Sequence, residues 1–195
     1  MIPWYLSDRA DPAARVLADR HYNRQKVGSK QFVPPGPCLV LLTEHADAFW
    51  VTSFPFAQYV KHRWAGAWVC SAFRNEMGLG TPSLDGDLLG RPPSSDLVTA
   101  AIAATAARWA APAIPSWIVI RRLPDRTLVE RADIAMVTFI DRDEVRRKRD
   151  PGRCFLRAGF EDAGDTRGGL RALVLRTERV PPAARARTRQ ATLFA

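Results

Sequence analysis

A chain of 195 residues with 47% hydrophobic side chains is long enough to bury a core as a single domain. Its formal charge of +9 and isoelectric point near 10.3 favour polyanions as partners, nucleic acid first among them, and say nothing of the fold. No apolar run approaches the about 18 residues of a membrane span, the N-terminus lacks the layout of a secretory signal, and Cys38, Cys70 and Cys154 form no C-x-x-C pair. These features argue against a membrane protein, a zinc knuckle or a disulfide framework, and predict reduced thiols in a cytoplasmic protein.

Asp11-Pro12 opens the first helix with a capping carboxylate and a proline at its first position; Val16, Leu17 and His21 extend it to about residue 22. QFVPPGPC breaks it, and the apolar runs CLVLLTE (38–44) and AFWVTSFP (48–55) predict a hairpin across HAD. AGAWVCSAFRNE (65–76) reads as a buried strand that turns polar after Phe73, so Arg74, Asn75 and Glu76 leave its C-terminal end. A Gly-, Pro- and Asp-rich loop covers 77–94. Ser94-Ser95-Asp96 then caps a helix on which Val98, Ile102, Thr105 and Trp109 form one stripe. Residues 114–133 look like an inserted strand pair, and IAMVTFID (134–141) is an apolar strand ending in Asp141.

RRKR (146–149), the densest positive charge in the chain, runs into PGRCFLRAGF, a short helix closed by Gly159, and LRALVLR (170–176) is a last strand. From Thr177 the composition shifts to Pro, Ala and Arg and predicts a basic, disordered tail over 177–195. The order α-β-β-β-α-β-α-β describes an α/β (α+β) domain over residues 1–176, a mixed sheet flanked by helices.

This order, with the GRCFLRAGF helix and the turn GDTRGGL after it, resembles the GCN5-related N-acetyltransferase (GNAT) fold. More narrowly, ADRHYNR (18–24), FRNE (73–76), SSDLVTAAIAAT (94–105), MVTFIDRDEVRRKRDPGRCFLRAGF (136–160) and GDTRGGLRAL (164–173) resemble the Mom-type DNA-modification proteins of bacteriophages. That resemblance implies transfer of a carbamoylmethyl-like group to the N6 amine of adenine in DNA, blocking restriction. It also implies that Arg146, Arg147, Lys148 and Arg149 hold a phosphodiester backbone beside the active-site helix, where such contacts position rather than read sequence. Arg24, Lys26 and Arg153 join them as DNA-facing cations. A charge run between Asp143, Glu144 and Asp150 also fits a solvated face.

Arg74, Asn75 and Glu76 stand where open α/β sheets place their ligands, with Glu76 as base or orienter and Arg74 as an anion anchor, or they form an ordinary solvated strand end. His21 is a hydrogen-bonded core residue, a general base or a metal ligand; with Glu76 and Asp141 it offers donors suited to iron or zinc. Asp141 either caps the next turn or accepts a hydrogen bond from the adenine amine. A reacting exocyclic amine must leave the base stack, and Tyr22, Trp68 and Phe155 are candidates for the aromatic wall that receives it.

Two departures from the acetyltransferase pattern stand out. GRPPSSDLV replaces the pyrophosphate-binding Gly-rich loop, leaving Ser94 and Ser95 as donor-binding candidates with Asp96 opposing phosphate, and Phe155 stands where those enzymes carry a proton-donating tyrosine. The group donor is therefore open, acetyl-CoA or another. Gln190, Leu193 and Phe194 of RQATLFA resemble the peptide that binds the bacterial sliding clamp. The rival functions are an acetyl-CoA-dependent N-acetyltransferase of a small amine or protein, and a non-catalytic DNA-binding or clamp-associated protein.

Overall fold

A computed structural model of the chain describes residues 4–77, 92–110, 134–145 and 150–188. Among these, eight strands form one mixed sheet with three α-helices against it. In chain order they are β1 (Tyr5–Ser7), α1 (Pro12–Asp19), β2 (Cys38–Leu42), β3 (Ala48–Ser53), β4 (Trp68–Asn75), α2 (Ser94–Trp109), β5 (Ile134–Ile140), α3 (Arg153–Arg157), β6 (Glu161–Asp165), β7 (Arg171–Arg176) and β8 (Arg187–Thr188). Across the sheet the order is β6-β7-β5-β4-β3-β2-β1-β8. The β4–β5 and β1–β8 pairs are parallel, and every other pair is antiparallel.

Strand alternation sorts the core onto two faces. Trp50, Trp68, Cys70 and Leu173 point to one face, where α2 covers them with Leu97, Val98, Ala101 and Ile102 and α3 adds Phe155. Phe49 and Val51 point to the other, where α1 contributes Ala14, Leu17 and Ala18. The Asp11 carboxylate caps α1 by accepting from the Ala13 and Ala14 amides, as its position before a proline requires. Trp64 of the β3–β4 connection packs with Ala67, Val137 and Val174 on this second face.

Much of α2 that faces the sheet is alanine, a smooth surface, but it carries one polar contact. The Trp50 Nε1 donates to Thr52 Oγ1, which lies 3.0 Å from Thr105 Oγ1, and Thr105 also bonds the Ala101 carbonyl at 2.8 Å. All three side chains are buried.

The expected hairpin, third strand, long helix, 134–141 strand, short helix and 170–176 strand are all present within a few residues of their expected bounds. Three strands are additional. β6, with sequence EDAGD, has little strand propensity and exists because it pairs along β7; β1 and β8 are short edge pieces. The chain also stays on the domain beyond residue 176. A 3₁₀ turn at Thr177–Arg179 leads to hydrogen bonds from Ala184 N to Ala103 O and from Arg187 N to Trp4 O, where a disordered tail was expected. Backbone pairing to β1 outweighs the local composition. The 114–133 strand pair and residues 189–195 lie outside the described residues. Among the described residues no helix is long and apolar enough to cross a membrane.

Candidate active-site cleft

The parallel strands β4 and β5 pair only from Trp68↔Met136 to Cys70↔Thr138. Beyond that point β4 runs on to Asn75 along β3, and β5 runs on to Ile140 along β7. The reason lies in the β3–β4 register: Thr52 faces Cys70 and Val51 faces Ala72, so Ser71 is an extra, bulged residue. A bulge bends and twists its strand, and here it turns β4 away from β5. Between the diverging C-terminal ends lies a cleft of about 650 Å³, walled by β4 (Cys70–Asn75), by Thr138–Ile140 of β5 and by Gly152, Cys154 and Phe155 at α3. Open α/β sheets bind ligands beyond such strand ends.

Arg20, His21 and Tyr22, just after α1, close the cleft, and Asn23 stands behind them. The Asn23 amide donates from Nδ2 to the carbonyl of the bulged Ser71 at 2.9 Å, which turns its Oδ1 toward His21 Nδ1, 2.5 Å away. The Asn23 backbone amide points at the same Nδ1 from 3.4 Å, so Asn23 orients the imidazole ring through both its side chain and its main chain. His21 is 8% exposed, stacks on Tyr22 and meets Phe49 edge-on. It also borders a second hollow of about 480 Å³ beside Arg24, Phe32 and Pro34. His21, Ser71 and Ala72 are thus a wall common to two cavities. The Tyr22 hydroxyl donates to Phe139 O at 3.3 Å, and burial raises its pKa above the ordinary 10.0, so it stays protonated. Burial likewise raises the Cys70 thiol.

Arg74 and Asn75 line the cleft; Glu76 does not. Its carboxylate, 12% exposed, is held between the Arg20 and Arg74 guanidinium groups, so it orients two cations at the cleft and is not available as a base. Asn75 Nδ2 donates to Ser94 Oγ at 2.9 Å, tying the end of β4 to the start of α2. Ser94 lines the cleft, whereas Ser95 contacts Asp96 within its own helix. Asp141 caps the turn after β5, its Oδ1 accepting from the Asp143 and Glu144 amides, and borders a side hollow with Tyr22. His21, Glu76 and Asp141 do not converge, and among the described residues no group of three or more His, Cys, Asp or Glu is placed to hold a metal ion.

Arg24 is occupied structurally. Its guanidinium bonds Asp19, Gln31 O and Ser29 O and so fastens the loop after α1. Lys26 and Arg153 are exposed, Lys26 at the second hollow and Arg153 at the start of α3. Of the proposed aromatic wall, Tyr22 and Phe155 line the cleft, but Trp68 is fully buried beneath α2. Arg146, Arg147, Lys148 and Arg149 lie outside the described residues, although Val145 before them and Pro151 after them both line the cleft. Gln190, Leu193 and Phe194 also lie outside. Sequence reading missed Arg20, Ser71 and Thr138 as cleft residues. Arg20 alone carried a signal, as a cation one residue before His21.

Comparison of the chain with protein-family models, with curated proteins and with solved structures found no match.

Proposed function

We propose that this protein modifies a DNA base, transferring a small carbamoylmethyl-like group to the exocyclic amine of adenine, as the Mom-like stretches of its sequence suggest. The observation that supports the reading is that Val145, directly before the RRKR run, and Pro151, two residues after it, line the same cleft as His21, Tyr22 and Arg74. Under this proposal the run grips a phosphodiester backbone, in a protein of charge +9, and the cleft takes the base.

In this reading the amine nitrogen attacks an electrophilic carbon of the donor, a C–N bond forms and the bond to the leaving group breaks. The His21 imidazole, oriented by Asn23, takes the amine proton, and the protonated Tyr22 hydroxyl supplies a proton to the departing group. Arg20 and Arg74 attract an anionic part of the donor; Asp96 in the first turn of α2 disfavours phosphate at that helix end.

The test is co-expression of the soluble protein with a plasmid, followed by digestion of that DNA to nucleosides and mass spectrometry. A modified adenosine that disappears with His21→Gln is expected. Four unmodified nucleosides alone would overturn the proposal.

A further inference from the structure

The β3–β4 connection, FPFAQYVKHRW (54–64), has no part in the cleft chemistry, yet it displays the two most exposed aromatic rings among the described residues: Phe56 at 60% and Tyr59 at 72%. Leaving such rings in water forgoes the stabilisation that burying apolar surface brings. The connection itself is well anchored. Phe54 packs on Trp109, Val60 is buried, Trp64 packs on the sheet and meets Phe139 at 6.0 Å, and Arg63 bonds Ala163 O at 2.7 Å while lying over the Trp64 ring. The exposed rings are therefore presented from a fixed base.

Their geometry is defined. Tyr59 N bonds Phe56 O at 2.9 Å, closing one 3₁₀ turn at Ala57–Tyr59, and residues three apart in such a turn project from the same side. Phe56 and Tyr59 thus leave the connection on the same side of the turn. Lys61 is exposed two residues on, and no Asp or Glu occurs anywhere between Asp47 and Glu76. His62 and Trp64 of the same connection reach Phe139, which lines the cleft.

The segment carries exposed π-faces, cations and no acid of its own, and the acids of neighbouring β6 are paired with Arg142, Arg171, Arg176 and Arg179. Such a surface matches an unstacked polynucleotide: bases stack on rings of any sequence while phosphates meet the charge. We propose that Phe56 and Tyr59 form a stacking platform for the bases of an opened or single DNA strand leading into the cleft, with Lys61 at its phosphates. The inference rests on the DNA-modification reading and adds the element that holds the strand unpaired, which access to an exocyclic amine requires.

The full chain is titrated by fluorescence anisotropy with a labelled 20-nucleotide oligothymidine, with a duplex of that length, and with vesicles containing phosphatidylglycerol. Phe56→Ala/Tyr59→Ala is expected to bind oligothymidine more weakly by about tenfold or more per ring, with its salt dependence unchanged because no phosphate contact is lost. Phe56→Trp/Tyr59→Trp is expected to keep the affinity, and Lys61→Ala to lower the salt slope by about one. Thermal melting checks that the variants are folded. Wild-type affinity in the alanine variant, or an equal loss in the tryptophan variant, overturns the platform. A loss confined to the vesicles also overturns it and assigns the rings to a membrane surface. Should the alanine variant bind normally while modified adenosine still forms in cells, this inference fails alone; should the wild-type chain bind neither oligonucleotide, the DNA reading fails with it.

Discussion

The two halves of β4 differ in almost every respect although they are one continuous strand. Trp68–Cys70 is hydrogen-bonded on both edges, to β3 and to β5, and its side chains alternate into the core. From Ser71 to Asn75 the strand is bonded to β3 alone, and its other edge faces a cavity. One bulged residue separates the doubly paired half from the half that walls the cleft. A site can therefore arise where a strand loses a partner, with no change in secondary structure.

This contrast can be broken most severely at the open half. His21→Gln, beside Ser71, should lower the rate of base modification about 10²–10⁴-fold, the usual contribution of a positioned proton acceptor, while the melting temperature moves by only a few degrees. The nucleoside digest and thermal melting read the two together. In the doubly paired half the opposite is expected. Trp68→Ala should cost about 3–5 kcal/mol and lower the melting temperature by about 10 °C or more, with any lost modification following the loss of folded protein.

Gly152→Ala sits between these extremes. Gly152 has φ +90°, and an added Cβ would stand 2.4 Å from Ile140 Cδ1 and 2.9 Å from Leu173 Cδ1. About 1–3 kcal/mol of destabilisation is expected in denaturant unfolding, together with a displaced cleft wall, since Ile140 lines the cleft.

The smallest effect concerns pH. Burial holds the His62 pKa at about 4, against 6.5 in the unfolded chain. The unfolded state then binds more protons between these values, so stability is complete above about 6.5 and falls as pH drops toward 4. Melting temperatures of His62→Gln should lose that slope within this window. Asp19, held ionised chiefly by Arg24, and Asp162, chiefly by the Gly164 amide, act in the same direction but below 3.8.

How much could be read in advance depended on the kind of information each element carries. CLVLL, AFWVTS, IAMVTFI and RALVLR announce themselves through apolar runs, and the Asp11-Pro12 start through helix-end chemistry. Ser94, Ser95 and Asp96, expected to cap α2, instead form its first turn, with Pro93 at the cap position and no side-chain cap bond. EDAGD does not, because its strand state comes from β7 and not from its own residues. Which strands are neighbours is also absent from a hydrophobic pattern, so the parallel β4–β5 junction and the Ser71 bulge were invisible. Arg74 and Asn75 could be found as polar residues leaving a buried strand. That Glu76 turns away toward Arg20, and that Asp141 serves its own turn, depends on rotamers and partners fixed only in three dimensions.

Thr105 lies eleven residues from Ser94 on α2, about 16 Å along the axis. Leu97, Val98 and Ile102 seat the helix among the side chains of the sheet. The Thr105 hydroxyl adds a buried bolt to Thr52 which, with the Trp4–Leu97 and Ala184–Ala103 bonds, fixes where Ser94 meets Asn75. Replacing that bolt with a methyl would keep the fold and loosen one of the ties behind the cleft's rim.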